Sequence, residues 1–150
     1  MPEQRIREVA PISAPAEVAQ LLGHAEGSPV VVRRRLFLAQ GRPVALGDSY
    51  YPAELAKGTA LAEPRKIKGG AHAVIEDPQG PIRRQVARSV DDIISRMPAP
   101  AEAETLDLLP GVPVMRVLRT IYGTDGSPLE VQDSLMAADS HELRYEVRMR

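Results

Sequence analysis

"APAEVAQLLGHAEGSPVVVRRR" occupies residues 14–35, and "APAEAETLDLLPGVPVMRVLRT" occupies residues 99–120. The second segment echoes the first. Ala14-Pro15-Ala16-Glu17 matches Ala99-Pro100-Ala101-Glu102, and Leu21 matches Leu106. Gly27-Ser28-Pro29-Val30 matches Gly111-Val112-Pro113-Val114 after a one-residue slip. The likeness continues: Gly41-Arg42-Pro43 meets Gly126-Ser127-Pro128, and Asp48-Ser49 meets Asp133-Ser134. Two copies are too few for a solenoid, which needs several units to bury a continuous core. The 150 residues therefore read as one pseudo-symmetric domain, long enough to bury a core.

Each copy has the same physical plan. Pro15 opens a short helix with Glu17 in its first turn, Val18, Leu21 and Leu22 at helical spacing, and Gly23 as a stop. Ala103, Leu106 and Leu109, followed by Pro110-Gly111, repeat it. Residues 30–39 and 114–122 are rich in β-branched residues and read as strands. "AQGRP" (39–43) and "TDGSP" (124–128) are hairpin turns. Asp125-Gly126 is the clearest, because both residues accept positive φ. Residues 44–51 and 129–136 return as partner strands. Between the copies, residues 55–61 connect, 63–70 form a polar loop ending in two glycines, and 71–77 fit a helix ended by Pro78. In 82–97, Ile82, Val86, Val90 and Ile94 recur every four residues, which suits a strand face as well as a helix face.

Composition removes several classes of function. The chain has no cysteine, which excludes disulfides, thiolate chemistry and cysteine zinc sites. A net charge of -1 supplies no general field for nucleic acid or an anionic membrane. No stretch approaches the length of a membrane span, and the N-terminus has no apolar leader core, so a cytoplasmic protein is expected. At 3% aromatic residues, the core must be aliphatic.

In order, "RRRLFLAQGRPVALGDSYYPAEL", "KGGAHAVIED" and "SRMPAPAEAETLDLLPGVPVMRVLRTIYGTDGSPLEVQDSLMAAD" resemble the UTRA domain, the effector-binding half of GntR-type bacterial transcription regulators of the HutC subfamily. The likeness covers roughly residues 10–146. It implies an α+β, chorismate lyase-like fold: a central antiparallel sheet flanked by short helices, with an internal pseudo-repeat. It also implies that 82–97 is a strand. Family members carry a winged helix-turn-helix before the sensor, and too few residues precede the first helix here to form one. Residues 1–9 are thus expected to be a linker remnant and 10–150 the sensor, with no DNA-binding domain in this chain.

Alternation sends Arg33 and Arg35 to one sheet face, where two guanidiniums make a bidentate cradle for a carboxylate or phosphate. A solvated charge run is the plain alternative. The resemblance favours the cradle, because arginines of this strand hold an anionic group in sugar-phosphate-sensing relatives. It also implies roles after the glycine loop for Gly70, whose backbone N–H would face an anion, and for His72 as a ligand donor. Gly70 lacks the hydroxyl usual there. Glu130 matches a carboxylate that receives sugar hydroxyls, and Met136 stands where relatives often carry a tyrosine, making a greasier wall. A ligand with one anionic group and an apolar body fits these departures.

Asp48 and Asp133, at equivalent places, suit a bridging role better than a catalytic one. His24 and His141 are isolated and no three side chains are spaced for a metal, so neither metal nor cofactor is expected. No nucleophile elbow or phosphate loop occurs, and Arg83, Arg84 and Arg88 lack the interleaved aromatics of a nucleic-acid surface. The expected function is therefore a ligand-sensing, homodimerising domain without catalysis. It would bind a small-molecule effector, no membrane, and DNA only through a domain outside this chain. A chorismate lyase-like enzyme using Arg35 and Glu130, or a pure dimerisation module, are the alternatives.

Overall fold

The computed structural model describes residues 3–149. Six antiparallel strands form one sheet in the order β1-β2-β3-β6-β5-β4. The chain runs β1 (Glu3–Ser13), α1 (Ala16–Leu22), β2 (Pro29–Ala39), β3 (Arg42–Pro52), α2 (Ala53–Ala56), a 3₁₀ turn (Ala60–Ala62), α3 (Ala71–Glu76), β4 (Val86–Arg96), α4 (Pro100–Thr105), β5 (Val114–Gly123) and β6 (Pro128–Ala137). The repeated unit is strand, helix, hairpin. Its two copies meet where β3 pairs with β6, and Asp48 lies directly opposite Asp133. Equivalent residues are thus partners across the central seam, which places a pseudo-dyad between these two aspartates.

Both hairpins form where the repeat places them, by different turns. Gln40 and Gly41 both have positive φ, which a two-residue turn of type I′ requires, with Ala39 paired to Arg42. In the second hairpin only Gly126 has positive φ, at 84°. Its N–H donates to the Gly123 carbonyl, and Gly123 donates to the Ser127 carbonyl. This is the wider loop closed by a left-handed glycine, so Asp125 does not take the positive φ expected of it.

The first strand lies outside the sequence reading. Glu3–Ser13 pairs with β2 along its length, so the stretch expected as a linker remnant is sheet from Glu3 on. It carries charges at Glu3, Arg5, Arg7 and Glu8 and a register shift between Ile6 and Glu8, which together hide its alternation. Met1, Pro2 and Arg150, assigned to the linker and to the domain's end, lie outside the described residues. Of 82–97, which the resemblance implies is a strand, Val86–Arg96 is one, paired without interruption to β5 from Arg88 to Arg96, whereas Ile82–Gln85 precede it outside the sheet.

The two faces bury different cores. On one, Val18, Ala19 and Leu22 of α1 pack on Val30, Val32, Tyr50, Leu118 and Val131, while Leu106 beyond α4 packs on Val114 and Leu135. Gly23, at φ 73°, ends α1 as a left-handed cap, with His24 N–H donating to the Ala19 carbonyl. Glu102 reaches back to accept the N–H of Ala99 at the start of α4. Between these helices each dyad aspartate bridges to an arginine, Asp48 to Arg34 at 2.6 Å and Asp133 to Arg116 at 3.0 and 2.9 Å. On the other face, α2, the 3₁₀ turn and α3 bury Ala56, Leu61 and Ile75 against Val31, Tyr51 and Leu129. Among the described residues no helix is long and apolar enough to cross a membrane.

Candidate effector-binding site

The excursion from β3 to β4 covers only one end of its face. Beside α3 it leaves a hollow of about 270 Å³ lined by Arg35, Ser49, Tyr51, Gly69, Gly70, Ala71, His72, Glu130 and Gln132. Pairing explains the convergence. In the antiparallel register Ser49 lies opposite Gln132, and alternation puts Arg35, Tyr51 and Glu130 on that same face.

Three polar groups there are not satisfied. Nη2 of Arg35 donates to Ser49 Oγ at 2.8 Å, and its guanidinium stands 5.4 Å from the Phe37 ring centroid. Its Nε is buried without a partner. Glu130 is only 1% exposed. Its Oε2 accepts from Gln132 Nε2 at 2.8 Å, while Oε1 has no hydrogen bond. The His72 Nε2 stands 3.4 Å from that oxygen, within ion-pair reach but misaligned for a hydrogen bond, and is unpartnered too. A buried carboxylate with a free oxygen is costly, so the hollow has a standing demand for a donor beside Glu130 and an acceptor beside Arg35. The proximity of Glu130 pushes the His72 imidazole above its usual range despite partial burial. Burial pushes the Tyr51 phenol far up, and the Glu130 charge adds to this, so Tyr51 stays protonated.

A larger hollow of about 680 Å³ lies at the sheet end between α1, α2 and the β5–β6 turn, lined by Leu22, His24, Leu55, Ile82 and Pro128 among others. None of the unpartnered buried polar atoms lines it. The smaller hollow is therefore the candidate site.

Of the residues expected in the site, Arg35, Gly70, His72 and Glu130 come together and two do not. Arg33 shares the face of Arg35 but is 5% exposed and committed to main chain. Its Nη1 donates to the carbonyls of Ala60, Leu61 and Glu63 at 3.4, 3.0 and 2.8 Å, and its Nη2 to that of Arg65 at 2.8 Å. It staples the covering loop in place. Met136 lies six residues along β6 from Glu130, roughly 20 Å at strand rise, beside Ala45 and Met115 and outside the hollow. Gly70 lines the hollow, but its N–H donates to the Ile67 carbonyl at 3.0 Å and does not face an anion. Ser49, Tyr51 and Gln132 were missed. The hairpin pairing of Arg33 with Ser49, and of Val31 with Tyr51, was the signal that could have found them.

Fold and hollow define a class: an α+β domain with one antiparallel sheet, a face of which carries a polar hollow beside α3. Comparison with known proteins then places it. Residues 1–142 match the UTRA domain. The chain is 28% identical over 149 residues to an uncharacterized HTH-type transcriptional regulator of Streptomyces coelicolor, covering 97% of this chain and 54% of that protein. It superposes on the ligand-binding domain of a protein assigned to the GntR regulators, from Bordetella bronchiseptica, with a TM-score of 0.80, 26% identity, and coverage of 98% and 92% of the two chains. The effector domain of PhnF from Mycobacterium smegmatis gives a TM-score of 0.82 at 23% identity, covering 99% and 88%, and supports the fold. The chain belongs to the UTRA domain family and is a ligand-binding regulatory domain of the kind GntR-type transcription regulators carry. It spans about half the length of the curated relatives it matches.

Proposed function

We propose that the hollow beside α3 binds a small metabolite with two polar ends. An anionic group meets Arg35 Nε, and a hydroxyl or amine meets Glu130 Oε1 and His72. The observation that carries this reading is the convergence of three buried, unpartnered polar atoms of opposite character on one cavity. The ligand satisfies all three at once, which apolar filling does not. The domain is read as one half of a cytoplasmic homodimer that acts on DNA through a helix-turn-helix domain such as its HTH-type relatives are named for. Binding shifts the dimer between arrangements only in proportion to the ligand's difference in affinity for them.

A metabolite panel screened by thermal shift tests the site. A true effector at a hundredfold excess over Kd stabilises by about 2.7 kcal/mol, a rise of roughly 5–10 °C for a domain of this size. Arg35→Ala and Glu130→Gln should each abolish the rise while remaining folded by circular dichroism. A hit whose shift survives both substitutions would place the ligand elsewhere. Native mass spectrometry of the purified protein looks for the same ligand already bound. Arg35 and Glu130 sharing one hollow also suits a lyase of the chorismate type. We read the site as binding without turnover, and steady product formation from chorismate would reverse that.

A further inference from the structure

We propose that the effector site continues past His72 into a second hollow, so that its ligand is an elongated dianion held by Arg35 at one end and Arg119 at the other. This rests on the site proposed above and adds the length and charge of the ligand. The second hollow, of about 290 Å³, adjoins the first. His72 and Gln132 line both, while Val86, Ser89, Arg119 and Ile121 line the second alone. Register builds the connection. Ser49 lies opposite Gln132, Gln132 opposite Arg119, and Arg119 opposite Asp91, so these side chains form one row on one face, across β3, β6, β5 and β4. Arg35 reaches the first member of the row, donating to Ser49 Oγ at 2.8 Å. Arg119 stands two strands further along. At about 4.8 Å between strands, the two anchor points lie roughly 10 Å apart. Glu130 is tied to the middle of the row by Gln132.

The chemistry of the second hollow calls for an anion. No aspartate or glutamate lines it. Asp91 accepts from Nε and Nη2 of Arg119 at 2.7 and 3.0 Å, which fixes the guanidinium but uses only one of its edges. Nη1 donates to no acceptor among the described residues. A guanidinium is a rigid fork of five donors, so an oxygen of a second carboxylate or phosphate fits the open edge. The Asp91 charge is itself shared, because Oδ2 also accepts from the Tyr145 hydroxyl at 2.9 Å. Arg88 lines the hollow too, but its guanidinium is stacked on Tyr122, 4.0 Å from the ring centroid, which leaves Arg119 to meet the ligand. Ile121 is 2% exposed and Val86 half-buried, an apolar floor for a methylene chain.

The charges along the row agree with this. With His72 protonated beside Glu130, the positive groups are Arg35, His72 and Arg119, and the negative groups are Glu130 and Asp91. One positive charge is left over. A ligand with an anionic group at each end and an amine between them carries one negative charge. Its amine faces Glu130 Oε1, the buried oxygen that lacks a hydrogen bond.

Straight-chain α,ω-dicarboxylates from succinate to sebacate serve as a ruler, with the monocarboxylates of equal length beside them. The heptanedioate bearing an amine on its middle carbon adds the central donor. Calorimetry of the full chain reads binding. Affinity should pass through a maximum at roughly seven to nine carbons, where an extended chain spans about 10 Å. At that length the dicarboxylate should bind about tenfold or more tighter than the monocarboxylate. The central amine should tighten binding further, and Glu130→Gln should remove that gain. Arg119→Gln, folded by circular dichroism, should bring the dicarboxylate down to the monocarboxylate. The length maximum needs no variant, so it tests the second hollow even if Arg119→Gln unfolds. Dicarboxylates that bind no tighter than monocarboxylates at any length, yet still depend on Arg35, would overturn the second hollow alone. Binding that survives Arg35→Ala, or no binding by any of these acids, would remove the first site as well.

Discussion

Replacing Arg33 with methionine distinguishes a staple from a ligand-binding arginine. The methionine keeps the apolar stem and removes four hydrogen bonds to the carbonyls of Ala60, Leu61, Glu63 and Arg65, three of them at 3.0 Å or less. Charge-assisted hydrogen bonds contribute roughly 1.5–3 kcal/mol each, or about 4–9 kcal/mol for the three short ones. Burying the guanidinium offsets several kcal/mol of that. Burial is also the leading reason that its pKa falls below the usual arginine range. The net loss is therefore about 3 kcal/mol, near the lower end of what breaking a buried charged set costs. Thermal melting should fall by roughly 6–12 °C, and the urea midpoint by about 1.5 M for a slope near 2 kcal/mol per molar. The companion Arg35→Met, which loses one bond to Ser49 and the guanidinium contact with the Phe37 ring from a half-buried side chain, should cost only about 1–2 kcal/mol. Equal stabilities for the two variants, or a loss below about 1 kcal/mol for Arg33→Met, would refute the staple and return Arg33 to the list of ligand candidates.

Two further outcomes follow from the same geometry. Because Glu130 raises the folded-state pKa of His72 above 6.5, the charged imidazole adds stability below that value and the contribution is lost as pH rises through the folded pKa. The stability gap between wild type and His72→Gln should thus shrink from about pH 6.5 upward, and an NMR titration of the imidazole should give a pKa that drops toward 6.5 in Glu130→Gln; an unmoved titration would detach the two groups. Gly126→Ala should destabilise by about 1–2 kcal/mol in urea unfolding, since φ is 84° while a methyl there meets no atom within 4 Å, leaving backbone strain as the whole cost; a neutral result would mean that the turn rearranges.

What the residues disclosed in advance divides along physical lines. Repetition and β-branched runs exposed both hairpins, because strand period and turn chemistry are local properties. Alternation placed Arg33 and Arg35 on one face, correctly, yet said nothing of what lay above them. That depended on the 3₁₀ turn at Ala60–Ala62 presenting carbonyls to Arg33, a tertiary event without a local signature. β1 escaped because an exposed edge strand buries too little for its pattern to stand out, and the ambiguity of 82–97 has the same origin. Met136 was carried in by family likeness, and strand rise alone puts it too far from Glu130 to join it.

The dyad at Asp48 and Asp133 has a quantitative corollary. Rotation about it carries Tyr51 onto Met136, and Glu130 onto Ala45, so the aromatic and acidic lining of the chamber becomes methionine and alanine in its twin. The long excursion beside the hollow runs from β3 to β4, and among the described residues no helix or strand follows β6. Only one rotated half thus carries the polar lining of the hollow, and saturation should arrive at a single equivalent of effector per polypeptide.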